Sequence, residues 1–353
     1  MRLLVEFSHP AQVHKFKHAL AQLRKMGVEI LILSRDKDVM LVLLDQYELP
    51  HLCISRARSG LLGNVWELLV REWKTLFIAM KFRPNLMLSA HSVAITHAGW
   101  IMGIPRLVHE DTEFGHLQQK LYIPFATRVL TSTAYYLDWG EKQLRIPSLE
   151  PLAYLHPKYF SEDPARLKRY GLSANSRYVV LRLISWQAMH DRGLHGITQS
   201  QMDTVVETLL SLGYEKVVLS TEGEFGQMDW PEIVRPDPED LHHLLAFAEL
   251  CFSESITVAG EAAVLGTPTL LVNPLRAGHT LELERYNLVE RCDDLDNALS
   301  RAVEISADHD SKARALASRS RLLEEKSDMT EAFVEIISQE LGLQGQECNG
   351  YGK

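Results

Sequence analysis

No C-x-x-C pair occurs in the chain, and its four cysteines, Cys53, Cys251, Cys292 and Cys348, stand singly. That spacing excludes a structural zinc site and points to a reducing compartment. Apolar runs of about 20 residues, the length of a membrane span, are also missing. The opening M-R-L-L-V-E-F-S-H-P is too short an apolar run for a signal peptide and carries Glu6 inside it. The expectation is a cytoplasmic protein, with peripheral contact to the inner face of a membrane left open. The P-loop, G-x-S-x-G, H-E-x-x-H and the protein-kinase set are absent as well, and with them the chemistries those motifs serve. A net charge of −9 argues against broad nucleic-acid binding.

What is present is a soluble globular composition, 46% hydrophobic and 24% charged, over 353 residues, enough for two domains. The organising stretch is 249–274, E-L-C-F-S-E-S-I-T-V-A-G-E-A-A-V-L-G-T-P-T-L-L-V-N-P. It reads as a buried strand, a polar loop, a helix of small residues ended by Gly266 and Pro268, and a second strand. In such a unit the loop after the strand faces a ligand, and the helix N-terminus offers N–H groups to an anion. Ser255 and Thr257 stand there. Glu261 lies further along, either buried against a partner such as ribose hydroxyls or facing water. Ser255 reads equally as a simple helix cap.

A second copy of the pattern sits in the first half. Residues 90–107 lie on 253–270 without a gap: Ser92 on Ser255, Gly103 on Gly266, Pro105 on Pro268, Leu107 on Leu270. Two similar α/β halves facing a ligand cleft follow. The first begins with a strand at 3–7, the loop Ser8-His9-Pro10 and a helix, but that loop lacks G-x-G-x-x-G, so no dinucleotide site is expected there. His9 faces the cleft in this reading and is a candidate base, against a merely structural role. Asp36 and Asp38 read as helix-capping acids rather than as a metal-binding D-x-D.

The helix expected at 60–82 carries an aromatic and aliphatic stripe, with Trp66, Trp73 and Phe77, beside basic residues. A core face is the leading reading and an interfacial membrane helix the other. The strand ending at His109 leads into Glu110, Asp111 and Glu113 at the edge where parallel sheets bind ligands. Acids there act as general base or hold sugar hydroxyls, or simply belong to a solvated loop. Residues 127–132 are expected to be the last strand of this half, 139–164 a boundary segment, and 312–341 a helical tail.

In the second half Arg182 comes near the end of the strand 178–184, placed to hold a diphosphate or to pair internally. Glu222 follows the strand 216–220 and is grouped with the nucleotide-binding residues. The histidine pairs lack a recognised ligand frame, so no metal is expected.

The two-domain layout and the S-x-x-x-x-x-E-A-x-x-L-G-x-P segment resemble the GT-B superfamily, which includes the non-hydrolysing UDP-N-acetylglucosamine 2-epimerases and the lipid-linked N-acetylglucosamine transferase of peptidoglycan synthesis. S-H-P-A-Q-V-H-K-F-K, Y-L-H-P-K-Y-F and R-L-I-S-W-Q-A-M-H-D resemble an uncharacterised prokaryotic family of GT-B type, a domain of unknown function grouped with surface-polysaccharide genes. The resemblance implies two Rossmann-like parallel-sheet domains, 1–165 on the acceptor side and 166–342 on the nucleotide-sugar side, with a disordered tail at 343–353. It implies that Glu261 binds the ribose of UDP, that Ser255 belongs to the diphosphate loop and that Glu110 matches a catalytic-site glutamate of the epimerases. Where the epimerase pattern has G-D-T this chain has Ala90-His91-Ser92, which removes a proposed acid/base aspartate. Where it has Gly-Gly after the serine, Ile256 and Thr257 stand.

The expected function is transfer of a sugar from a nucleotide-sugar donor, UDP-linked, to a surface-glycan or lipid-linked acceptor. His9, Glu110 and Asp111 are the catalytic candidates; Arg182, Glu222, Ser255, Thr257 and Glu261 bind the donor. The nucleotide sugar is the substrate, with no cofactor and no metal. A nucleotide-sugar epimerase and a non-catalytic nucleotide- or sugar-binding protein are the alternatives.

Overall fold

The computed structural model describes residues 1–37, 39–58, 60–184, 196–221 and 230–343. The chain divides into two compact units, Met1–Tyr154 with Ser327–Lys353, and Leu155–Lys326.

In the first unit the strands are β1 (Arg2–Phe7), β2 (Glu29–Asp36), β3 (His51–Arg56), β4 (Leu86–Ala90), β5 (Arg106–His109), β6 (Arg128–Ser132) and β7 (Gln143–Ile146). Between them run α1 (Pro10–Lys25), α2 (Met40–Gln46), α3 (Leu61–Phe82), α4 (Val93–Met102) and α5 (His116–Tyr122), with the single turn α6 (Leu152–Leu155) beginning after β7. All seven strands pair in parallel in the order β3-β2-β1-β4-β5-β6-β7. Central strands such as β1 and β4 are buried on both faces, as a parallel sheet covered by helices requires. The edge strand β7 lies in what reads from sequence as a boundary segment. At four residues, Q-L-R-I, it is too short to show a period.

The second unit repeats the plan with β8 (Tyr178–Leu183), β9 (Lys216–Thr221), β10 (Ile233–Val234), β11 (Leu250–Ser253), β12 (Thr269–Leu271) and β13 (Val289–Arg291). Its helices are α7 (Gln199–Ser211), α8 (Leu241–Phe247), α9 (Ile256–Val264), α10 (Gly278–Arg285), α11 (Leu295–Ala307) and α12 (Ser311–Glu325). The parallel order β10-β9-β8-β11-β12-β13 matches the first six strands of the other sheet position for position. Both units are thus Rossmann-like, with the order reversing beside the first strand.

The sequence repeat is a structural one. Ser92 caps α4 by accepting from the Ile95 amide, and Ser255 caps α9 by accepting from the Val258 amide. Gly103 and Gly266 end those helices in the left-handed region, at φ of 67° and 81°, where Gly bears no Cβ penalty.

Two expectations need correcting. The tail is not one helix: α12 ends at Glu325, and Asp328 starts a new helix, α13 (Met329–Glu340), by accepting from the Thr330 and Glu331 amides. That break sends the chain back to the first unit, where Phe333 stacks on Phe16 at 4.8 Å and Thr330 donates to the Ala153 carbonyl. The division therefore falls at Tyr154/Leu155 and Lys326/Ser327 rather than at 165, and α13 belongs to the first unit.

The second correction concerns α3, whose aromatic stripe does not face the core. Glu67, Arg71, Thr75 and Ala79 are its buried residues at successive turns, while Trp66, Trp73 and Phe77 are exposed. Polar groups turn inward because they meet partners there. Arg35 and the Ser55 hydroxyl donate to Glu67, and Arg71 donates to Glu6 at the end of β1.

Candidate functional site

In the first unit the site forms where β1, β4 and β5 end and α1 begins, the carboxyl edge of the sheet. His91 follows β4 and takes a φ of 60°, an uncommon conformation for a residue with a Cβ and one that costs on the order of 1 kcal/mol. Its surroundings hold it there. The Gln12 amide donates to the Ala90 carbonyl at 2.9 Å, and Ser92, besides capping α4, donates its hydroxyl to Glu6 at 2.6 Å. The turn sets the imidazole Nε2 3.0 Å from Glu110 and 3.1 Å from Asp111.

Each carboxylate has a second anchor. Tyr122 donates its hydroxyl to Glu110, the Thr112 amide donates to Glu110 at 2.9 Å, and Lys15 of α1 pairs with Asp111. Glu110 is fully buried, which pushes its carboxyl up. The charge of His91, with hydrogen bonds from His91, Tyr122 and the Thr112 amide, outweighs burial and holds it below its ordinary value. Burial first, then the Glu110 charge, raises the Tyr122 hydroxyl, which stays protonated. Behind the cluster His109 is buried edge-on between Phe16 and Phe333. Burial, then the charges of Lys15 and His91, lower it well below neutrality, so it is an uncharged wall.

One atom each of His91, Glu110 and Asp111 lies within 4.8 Å of the others, a spacing a divalent cation can bridge. The Lys15 ammonium already supplies the positive charge at Asp111, and the imidazole bridges the two carboxylates directly. An imidazole so placed can act as an acid–base group. The buried Nε2 faces both carboxylates, and no hydrogen bond to Nδ1 of the quarter-exposed ring is found among the described residues, so Nδ1 is the ring atom a substrate proton could reach.

Of the sequence candidates, Glu110 and Asp111 are brought together here. His9 is not in this cluster: it is exposed and caps α1, its Nδ1 accepting from the Ala11 amide at 3.3 Å. From the sequence His91 reads as a lost aspartate and, with His97, as a histidine pair without a carboxylate frame, whereas the structure sets Glu110 and Asp111 beside it; Lys15 and Tyr122 give no such signal. The signal available for His91 was its place after a strand in the repeated unit.

In the second unit Arg182, near the end of β8, donates to the Ser220 hydroxyl at 2.9 Å and pairs in register with Ser253 of β11. Ser255 is buried as the α9 cap, and Thr257 is exposed in the first turn of that helix. Glu261 does not face water. It is buried, and the ring Nε2 of His242 on α8 lies 3.3 Å away. Glu222 lies outside the described residues, as does the stretch 185–195 after β8. Its two flanks meet at a residue the sequence did not flag. Glu254, buried before the α9 cap, accepts from the Ile184 amide at 3.1 Å and the Ile197 amide at 2.6 Å.

Compared with known proteins, residues 1–143 match the family described as Protein of unknown function (DUF354). The uncharacterized protein MJ0665 of Methanocaldococcus jannaschii is 21% identical over 281 residues, 76% of this chain and 81% of that protein. A solved UDP-GlcNAc 2-epimerase from Neisseria meningitidis, bound to UDP-GlcNAc, matches with a TM-score of 0.69 at 12% identity, over 98% of this chain and 100% of that one. The glycosyltransferase SsfS6 of Streptomyces sp. SF2575 matches with a TM-score of 0.60 at 14% identity, over 96% and 100%. Both likenesses are of fold, and the fold is of the GT-B type.

Proposed function

We propose, for a chain of GT-B fold with an acid–base cluster in one unit and a capped helix N-terminus in the other, that it transfers a sugar from a UDP-linked donor to a surface-glycan or lipid-linked acceptor. The observation that carries this is His91, set against two carboxylates through Nε2, with no hydrogen bond to its other ring nitrogen among the described residues. In the proposed step the acceptor oxygen bonds to the anomeric carbon, the bond from that carbon to the diphosphate oxygen breaks, and the acceptor proton passes to Nδ1 of His91. Glu110 and Asp111 orient the ring and stabilise the imidazolium that forms. The leaving diphosphate is met by the α9 N-terminus and Arg182, and the ribose by Glu261 with His242. A peripheral place at a membrane belongs to the lipid-linked form of the reading.

A second reading, epimerisation of the nucleotide sugar, is favoured by one observation. Glu110, matched by resemblance to an epimerase catalytic-site glutamate, shares its site with His91, so the position that lacks the expected aspartate still carries a titratable group.

The test is a thermal-shift panel of UDP, GDP, CMP and dTDP sugars on the wild type and Glu261→Ala, followed by product analysis with and without acceptor. A ligand at a hundredfold excess over its Kd stabilises by about 2.7 kcal/mol. Stabilisation by a UDP-sugar that disappears in the variant supports the donor site, and release of UDP only when acceptor is added supports transfer. Conversion of donor alone replaces transfer by epimerisation. No stabilisation by any nucleotide overturns both.

A further inference from the structure

The outward face of α3 is as unusual as its inward one. Leu62, Trp66, Leu69, Trp73, Phe77 and Met80 recur at helical spacing over roughly 27 Å of axis and are all exposed, Leu62 at 85% and Trp73 at 74%. The face does not end with the helix. His97 of α4 binds Glu72 of α3 through Nδ1 at 2.7 Å and the Leu121 carbonyl of α5 through Nε2 at 2.8 Å, bracing three helices together. Trp100 and Ile101 on α4 and Leu117 on α5 are exposed as well. An apolar surface this continuous marks an interaction site.

Its charges say what covers it. Both acids of α3 are committed, Glu67 to Arg35 and Glu72 to His97, and the Lys74 ammonium donates to the Ile54 carbonyl, whereas Lys81, Arg83 and Lys120 are exposed. The Lys81 ammonium lies over the Phe77 ring, 4.4 Å from its centroid, which sets a cation directly on the apolar stripe. A chain of net charge −9 has thus gathered cations around its most apolar exposed helix. Two copies meeting through this face would set cation against cation. An anionic lipid surface complements both features, with tryptophans at headgroup depth and lysines at the phosphates.

We propose that the α3 face docks on the surface of an anionic bilayer, the helix lying in the interface plane without crossing it. Among the described residues no helix is long and apolar enough to cross. The proposal deepens the peripheral-membrane part of the reading above and, for its biological purpose, rests on it. Its test uses neither donor nor acceptor, so the two fail separately.

The full chain is floated with vesicles of phosphatidylcholine alone and of phosphatidylcholine mixed with phosphatidylglycerol, at low and high salt. Binding to the mixed vesicles that weakens with salt is expected. Trp73→Ser lowers partitioning about tenfold, and Lys81→Gln about fivefold. Because both residues are exposed, melting temperatures stay unchanged and folding is not confounded. Absence of binding to either vesicle, or equal binding to both, overturns the proposal. So does a dimer in solution that Trp73→Ser converts to monomer, which assigns the face to a second copy.

Discussion

The two units carry the same strand–helix–strand piece and use its turn differently. In the gapless register that lays Ser92 on Ser255, Glu254 falls on His91 and Asn273 on Glu110. Both pairs are in contact: His91 reaches the Glu110 carboxylate, and the Asn273 amide donates to the Glu254 carbonyl at 2.7 Å. In the first unit the turn residue sets its imidazole against two carboxylates. In the second, the side chain of Glu254 accepts from two backbone amides and ties Ile184 to Ile197. The caps and the left-handed glycines are scaffold, and what stands just before the cap decides whether the turn meets side-chain carboxylates or backbone amides.

Substitutions that separate these roles sharpen the comparison. The largest effect is expected from His91→Ala, which lowers turnover of the nucleotide sugar by about 10²- to 10⁴-fold, the contribution of a positioned base. Turnover within a few fold of wild type would place the chemistry elsewhere. Glu254→Ala leaves two amides without their acceptor and costs about 2–5 kcal/mol of stability, read from chemical denaturation. An equal melting temperature in this variant would break the contrast.

The helix-ending glycines give a smaller, graded effect. A Cβ on Gly266 would meet Leu316 at 2.8 Å and Arg319 at 3.1 Å, whereas one on Gly103 meets nothing within 4 Å. Gly103→Ala therefore costs only the left-handed strain of about 1 kcal/mol, and Gly266→Ala roughly 1–3 kcal/mol more for overpacking. Equal losses in paired denaturation curves would show that the contacts around Gly266 yield.

The smallest effect is in acid. The Glu110 pKa is lowered in the folded protein, so its contribution to stability is present above the unfolded-state value and is lost as pH falls through the folded one. His91→Ala removes the charge that most strongly opposes burial, which raises the folded pKa. The acid unfolding midpoint, followed by circular dichroism, then moves to higher pH. A midpoint that stays or falls would show that Tyr122 and the Thr112 amide suffice to hold the carboxylate.

Much of the scaffold was legible because its signals are local. Apolar strand runs, Ser92 and Ser255 as caps, and Gly103 and Gly266 as helix ends each lie within a few residues of what they control. Glu110 and Asp111 were found by their place after a strand. What escaped depends on distant partners. The apolar stripe of α3 fixes which face is greasy, not which face is inward; that was decided by Glu6, Arg35 and Ser55 waiting for Arg71 and Glu67. His91 gains its meaning only when β5 brings two carboxylates beside β4, and Lys15 reaches Asp111 from 96 residues away.

The return of α13 to the first unit has a consequence for biosynthesis. A ribosome delivers all seven strands of that unit long before it delivers Phe333, so Phe16 and His109 wait without the helix that covers them while the whole second unit is made. The unit begun first is finished last. A chain cut short in the second half leaves this apolar seam open to the quality-control machinery, so an intact first unit certifies that the whole second unit has been made.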